Sequence, residues 1–311
     1  MGVDVRLREI MGLKAPRFFI DGEASDLAYV TIRDDPRGIG CKAFVESLWT
    51  RFCTHADSHF REDARNHFHQ RFWEMYLGVT LLDRGIMISK HGDDGPEFFA
   101  KIHGQRVWFE AVAPSGGTGP DQVPDLVPSQ ARRVPVDQIL LRFTSALAEK
   151  KKQYLAAIAK GVIAPEDPYV LAINSRGIPS APYGNTMPYF LQALLPIGPL
   201  AVGINRDPLE VTDSFYQYRP HVTKASGAEV STRTFLDQDA AFCSAVIHSA
   251  VDCANHPPNL GGDFSVLHNP NAAHPITESA FPWCTQFSVH NDELHRSQPN
   301  PTIDADRLPA G

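Results

Sequence analysis

The residues best suited to chemistry in this chain are three glutamates, Glu74, Glu97 and Glu110, and one lysine, Lys150. Glu74 is the only charged residue between Phe72 and Leu82. Phe68, Phe72, Tyr76 and Val79 mark one side of that run and Trp73, Leu77 and Leu81 another, the pattern of a helix buried nearly all round. A carboxylate in such company costs several kcal/mol unless it is paired, protonated or bound to a metal. A helix-end salt bridge, or a gap to solvent beside Gly78, would also relieve it. Glu97 and Glu110 belong to two β-type runs, Glu97–Ile102 and Arg106–Ala113, joined at His103-Gly104. A two-residue turn there sets Glu97 opposite Glu110 and leaves both on the face away from Phe98, Ala100, Ile102, Val107, Phe109 and Ala111. Like charges side by side repel unless a cation or a shared proton intervenes. A divalent cation resolves the conflict, and hard oxygen ligands suit Mg²⁺ or Mn²⁺. The other resolution is a half-exposed face on which Lys101 and Arg106 neutralise the acids. Lys150 falls on the apolar side of a helical run, beside Phe143, Ala146 and Ala157, when residues advance by about 100° each. Lys151 lies at its flank, Lys152 points away, and Arg142 and Gln153 hold the adjoining edge. A lysine on an apolar face either snorkels to water or serves a purpose.

The elements that must position these groups follow from periodicity. A helix over 61–83, stopped by Gly85, is followed by a short strand at 86–89 and a turn at Asp93-Asp94-Gly95-Pro96. The hairpin comes next, then a Gly-, Pro- and Asp-rich loop over 114–136, an amphipathic helix over 137–160, and a strand over Tyr169–Asn174. Ser115-Gly116-Gly117-Thr118-Gly119 lacks the Gly-Lys-Ser/Thr ending of a phosphate cradle and does not lead into a helix; it reads as a loop flanking a site. A helix over 41–53 precedes this core, and residues 1–40 read as irregular. A short helix near 188–195 and strands near 200–205, 242–250 and 264–268 follow. The expected organisation is an N-terminal helical and irregular segment over 1–60, a core over 61–180, an extension packed on the core over 181–285, and a loose polar, Pro-rich tail over 286–311.

Composition narrows the function classes. A formal net charge of -7 excludes a generally basic nucleic-acid coat, though not a local basic groove. The five cysteines, at 41, 53, 243, 253 and 284, form no C-x-x-C pair, which argues against a zinc ribbon or a disulfide framework and for free thiols in a reducing compartment. His55, His59, His67 and His69 alternate with Asp, Arg and Glu, as on the exposed start of a helix, so no zinc site is expected there. No apolar run approaches the roughly 20 residues that span a bilayer, and the first residues lack a signal pattern. The expectation is a cytoplasmic protein without a membrane partner.

In this order the residues resemble the PD-(D/E)XK nuclease superfamily, the restriction-endonuclease-like fold. The likeness rests on Phe72-Trp73-Glu74-Met75-Tyr76-Leu77, Pro96-Glu97-Phe98 and Trp108-Phe109-Glu110-Ala111-Val112, with the helix and strand after them, and covers roughly residues 60–176. The chain also resembles a group of bacterial proteins sharing runs such as Lys224-Ala225-Ser226-Gly227-Ala228-Glu229-Val230-Ser231 and His268-Asn269-Pro270, a likeness that brings no activity with it. The superfamily resemblance implies an α/β fold, a mixed central sheet flanked by helices, with a C-terminal α/β extension. It implies Mg²⁺ or Mn²⁺ held by Glu97, Glu110 and Glu74, and phosphodiester hydrolysis of DNA or RNA. The motif lysine is replaced by Val112, and Lys150 is where the following helix can supply it. The alternatives are a catalytically inactive module of the same fold that binds nucleic acid or protein, and a two-carboxylate glycosidase. A homodimer is compatible with all three.

Overall fold

The computed structural model describes residues 16–90, 95–182 and 187–299. Helices α1 (Leu27–Asp34), α2 (Ile39–Phe52), α3 (Phe60–Ala64) and α4 (Phe68–Asp83) lead into strands β1 (Ile88–Ser89), β2 (Phe98–Ile102) and β3 (Gln105–Val112). Helix α5 (Val136–Ala159) then crosses to β4 (Tyr169–Asn174), and the short helix α6 (Tyr189–Leu194) precedes two ribbons, β5 (Ile197–Arg206) with β6 (Leu209–Tyr218) and β7 (His221–Thr223) with β8 (Glu229–Ser231). The chain returns through β9 (Ala245–Ser249), β10 (Ser265–His268), β11 (Thr285–His290) and β12 (Glu293–Ser297). One mixed eight-stranded sheet runs in the order β1-β2-β3-β4-β9-β10-β11-β12, with β3, β4 and β9 parallel. The protein is thus α/β, with a large mixed sheet flanked by helices on both faces.

Patterning explains the layers. Strand β4 is Tyr-Val-Leu-Ala-Ile-Asn and every residue is buried, as a parallel strand covered on both faces requires. Val170 and Ala172 join α4 on one face, with Phe98, Val107 and Phe109. Leu171 and Ile173 join α5 and α6 on the other, with Leu140, Phe143 and Phe190. Helix α4 is held against the sheet by two polar clamps: Trp73 Nε1 donates to the Ala172 carbonyl at 2.9 Å, and the Gln70 amide bonds both the Ala111 carbonyl and the Ala113 N–H at the end of β3. Gly78 lets α2 approach: a Cβ there would sit 2.5 Å from the Phe52 ring.

The hairpin has the expected register. Phe98 pairs with Phe109 and Ile102 with Gln105. The turn residues His103 and Gly104 both have positive φ, +50° and +82°, as a type I′ two-residue loop demands. Continued one residue further, this register puts Glu97 across from Glu110. The helix expected over 137–160 forms as Val136–Ala159, and the strand over Tyr169–Asn174 has those bounds.

Several expectations need correction. The helix expected over 61–83 is two, because the chain turns at 65–67 between α3 and α4. Residues 27–34, expected to be irregular, form α1; Asp26 caps it by accepting from the Ala28 and Tyr29 N–H groups. The strand near 200–205 belongs to a separate two-stranded ribbon, while β9 and β10 continue the main sheet, so the boundary drawn at 180 falls inside one sheet. The tail expected over 286–311 is docked as far as Ser297: β11 is a parallel neighbour of β10 and buries Phe287, and β12 closes the edge. Alternation in Gln-Phe-Ser-Val-His was outweighed there by the polar, proline-rich composition around it. Part of the turn over 93–96 lies outside the described residues.

Deleting residues 285–311 should therefore lower Tm by at least about 6 °C. Loss of the Phe287 side chain alone costs about 3 kcal/mol, and each kcal/mol is worth about 2–4 °C in a domain of this size. Differential scanning calorimetry of the truncated chain checks this; an unchanged Tm would show that β11 contributes nothing to the sheet.

Candidate active site

Glu110 is on β3, five per cent exposed, on the face turned to α5. Lys150, on α5, donates to Glu110 Oε1 and reaches Gln153 Oε1 at 3.0 Å. Its two neighbours go elsewhere: Lys151 faces Asp239 and Lys152 faces Glu149, both 3.5 Å away. Tyr169, opposite Trp108 at the start of β4, buries its hydroxyl beside Glu110 without completing a hydrogen bond of normal geometry. A cavity of about 250 Å³ adjoins Glu110 here, lined by Pro96, Gln153, Tyr154, Lys160 and Tyr169.

Glu74 is fully buried on α4 and is met by Arg71, one helical turn earlier, at 2.7 Å. Arg71 also bonds Asp63 at 2.7 Å and lies 3.6 Å from Asp57, which Lys90 approaches at 3.3 Å. Glu74 Oε1 is buried and finds no hydrogen-bond donor among the described residues. The Glu74 carboxyl is within hydrogen-bonding reach of Glu97, which precedes β2. Two carboxyl groups in such contact need a shared proton or a cation. Glu97 in turn feels the charge of Lys150, and Glu110 feels that of Glu97, so the four residues form one electrostatic chain: Glu74 to Glu97, Glu97 to Glu110, Glu110 to Lys150.

The electrostatics follow the burial. Loss of hydration pushes Glu97 up to about 8, with the Glu74 charge adding to it and Lys150 and Arg71 opposing it. Glu110 is pushed up to about 7, because burial outweighs the Lys150 ammonium. Glu74 is raised by burial and held down in part by Arg71. Near neutral pH the Glu74–Glu97 pair therefore retains a proton.

The structure thus brings Glu74, Glu97, Glu110 and Lys150 together, but not evenly about one point. Glu110 is engaged by Lys150, and among the described residues no group of three or more His, Cys, Asp or Glu side chains is placed to hold a metal ion. The salt bridge considered for Glu74 exists, through Arg71. Lys101 and Arg106 are cross-strand neighbours near the turn, at the far end of the hairpin from Glu97 and Glu110, and Arg106 faces Asp167 at 3.9 Å instead. Arg142 donates to the Ser115 carbonyl and anchors the Gly-rich loop. Sequence reasoning missed Arg71, Lys90 and Tyr169. The spacing of Arg71 three residues before Glu74 was a readable signal; Lys90 and Tyr169 are brought in only by tertiary packing. All five cysteines are free thiols, and no helix among the described residues is long and apolar enough to cross a membrane.

Raised carboxyl pKa values make the folded state bind more protons than the unfolded chain between pH 4.5 and about 8. Their stabilising contribution is complete below the unfolded value and is lost as pH rises through the folded one. Tm of the metal-free protein should fall by several degrees from pH 5 to pH 8, and Glu97→Gln should flatten that fall and raise Tm at pH 8. A Tm that climbs over this range in both proteins would refute the shared-proton pair.

No family model, curated protein or solved structure matches this chain.

Proposed function

We propose that the protein is a metal-dependent phosphodiesterase acting on DNA or RNA, a degenerate PD-(D/E)XK nuclease in a reducing, cytoplasmic setting. The observation that carries this reading is the salt bridge from Lys150 to Glu110 beside a carboxyl pair short of one donor. The order of elements supports it: a helix bearing Glu74, three antiparallel strands with Glu97 just before the second and Glu110 on the third, a helix bearing Lys150, and a strand parallel to the third. The donor set is all carboxylate oxygen and suits Mg²⁺ or Mn²⁺. Glu97 and Glu110 would hold the ion, with Glu74 behind Glu97. The ion would activate water and offset charge on the phosphate when bound. Lys150, released from Glu110, would set its ammonium against the phosphate, and the Tyr169 hydroxyl would donate a hydrogen bond into the same cavity.

A specific observation favours a second reading. A carboxylate already satisfied by a lysine, with no three-ligand group formed among the described residues, also fits an inactive module of this fold that binds nucleic acid or protein.

Calorimetry with Mn²⁺ and a cleavage assay on DNA and RNA, single- and double-stranded, separate the two. On the nuclease reading, Mn²⁺ binding releases the proton shared by Glu74 and Glu97, so affinity rises about tenfold per pH unit below pH 8. Lys150→Ala should lower the cleavage rate about 100-fold or more while changing Mn²⁺ affinity much less. Glu110→Gln should abolish Mn²⁺-dependent cleavage, with a stability cost of about 1–3 kcal/mol from leaving Lys150 without its carboxylate. Wild-type protein that binds nucleic acid without Mn²⁺ and cuts none of these substrates would establish the module instead.

A further inference from the structure

Strands β5 and β6 form a ribbon outside the main sheet, ten residues a strand and about 33 Å long. Its register sorts the side chains cleanly. Leu200 pairs with Tyr216, Val202 with Ser214, Ile204 with Val211 and Arg206 with Leu209, so these lie on one face. The other face carries Ala201, Gly203, Asn205, Glu210, Asp213 and Phe215, the phase being kept through the irregularity at Gly203 and Ile204. The first face is therefore an apolar stripe interrupted only by Ser214 and ended by Arg206. Its six large side chains, Leu200, Val202, Ile204, Leu209, Val211 and Tyr216, are each between 39 and 83 % exposed.

Such a face is costly to leave in water. An isolated two-stranded ribbon is marginal on its own, and soluble monomers rarely expose contiguous apolar patches beyond a few hundred Å². We propose that this face is covered by the same face of a second copy of the chain, in a two-fold dimer. The area is sufficient. With roughly 150–250 Å² for the largest side chains, the exposed parts amount to on the order of 600 Å² per copy. Two copies face to face then bury about 1,200 Å², the lower end for a specific interface. Charge selects this occupant over nucleic acid. The ribbon has one basic residue, Arg206, against three acidic ones, Asp207, Glu210 and Asp213, and would be repelled by phosphate. Glu210 and Asp213 lie on the opposite face, so two apolar faces meet without opposing these like charges. A self-complementary patch needs only a two-fold axis to satisfy both copies. The proposal does not depend on what the carboxylate site does.

Sedimentation velocity of the full chain at micromolar concentrations tests it, with two variants. Wild type should sediment as a dimer. Val202→Asp combined with Val211→Asp should weaken the dimer about 100-fold or more while leaving the far-ultraviolet circular dichroism unchanged, since both positions are exposed. Ser214→Cys, at the middle of the stripe, should be cross-linked to its copy by a short bis-maleimide to a greater extent than wild type with its five native thiols. A monomeric wild type, a dimer unaffected by the two aspartates, or no gain in cross-linking at residue 214 would each overturn the proposal. So would a monomer whose affinity for duplex DNA falls with the same two aspartates, which would make nucleic acid the occupant.

Discussion

Strand β3 is covered on both faces, and the carboxylate of Glu110, five per cent exposed at the edge of its cavity, keeps little of its hydration. It must be met by charge from a neighbouring element, and α5 supplies it through Lys150. Much else follows from that demand. Helix α5 has to cross the sheet at a rotation that delivers one of three consecutive lysines inward and turns the other two out. The strand after it, β4, has to lie parallel to β3 so that its first residue, Tyr169, closes the site from the side. A buried ion pair of this kind contributes little net stability against an apolar replacement, and breaking it costs far more than forming it gained.

Glu74 and Glu97 show the same constraint with a different solution. Here the second charge has the same sign. Arg71 answers one oxygen of Glu74, and the other meets no hydrogen-bond donor among the described residues. Two half-solved electrostatic problems, one lysine for Glu110 and one proton for Glu74 with Glu97, sit side by side across the start of the hairpin. An ion of charge two placed between them would relieve both, which is why the nuclease reading and the pH dependence of stability are two faces of one arrangement. It is equally why an inactive module is a coherent outcome: the same charges can balance with Lys150 left where it is.

The β5–β6 ribbon obeys a separate logic. Its face pattern has the period-2 order of a sheet layer, yet it lies outside the eight-stranded sheet. Regularity of that kind in an exposed element is a packing surface without its other half, and the absence of matching positive charge restricts what that half can be.

The local elements were legible in the amino-acid sequence because their signals are local. The His103-Gly104 turn dictates a two-residue loop, the loop dictates register, and the register sets Glu97 against Glu110 with no further information. Helical periodicity alone picked Lys150 from three neighbours. What tertiary structure decided was everything that depends on which elements meet. Arg71 was three residues from Glu74 and readable, but the approach of Lys90 to Asp57 and of Tyr169 to Glu110 joins segments distant in sequence, and no spacing rule reports it. Strands β11 and β12 were lost in a polar, proline-rich stretch because a strand gains most of its stability from its neighbours, which composition does not show. The sequence by itself determined that three carboxylates and a lysine would need one another. Only the folded chain decided which carboxylate takes the lysine and which pair shares a proton, because that choice turns on burial and on distances between elements far apart in the chain.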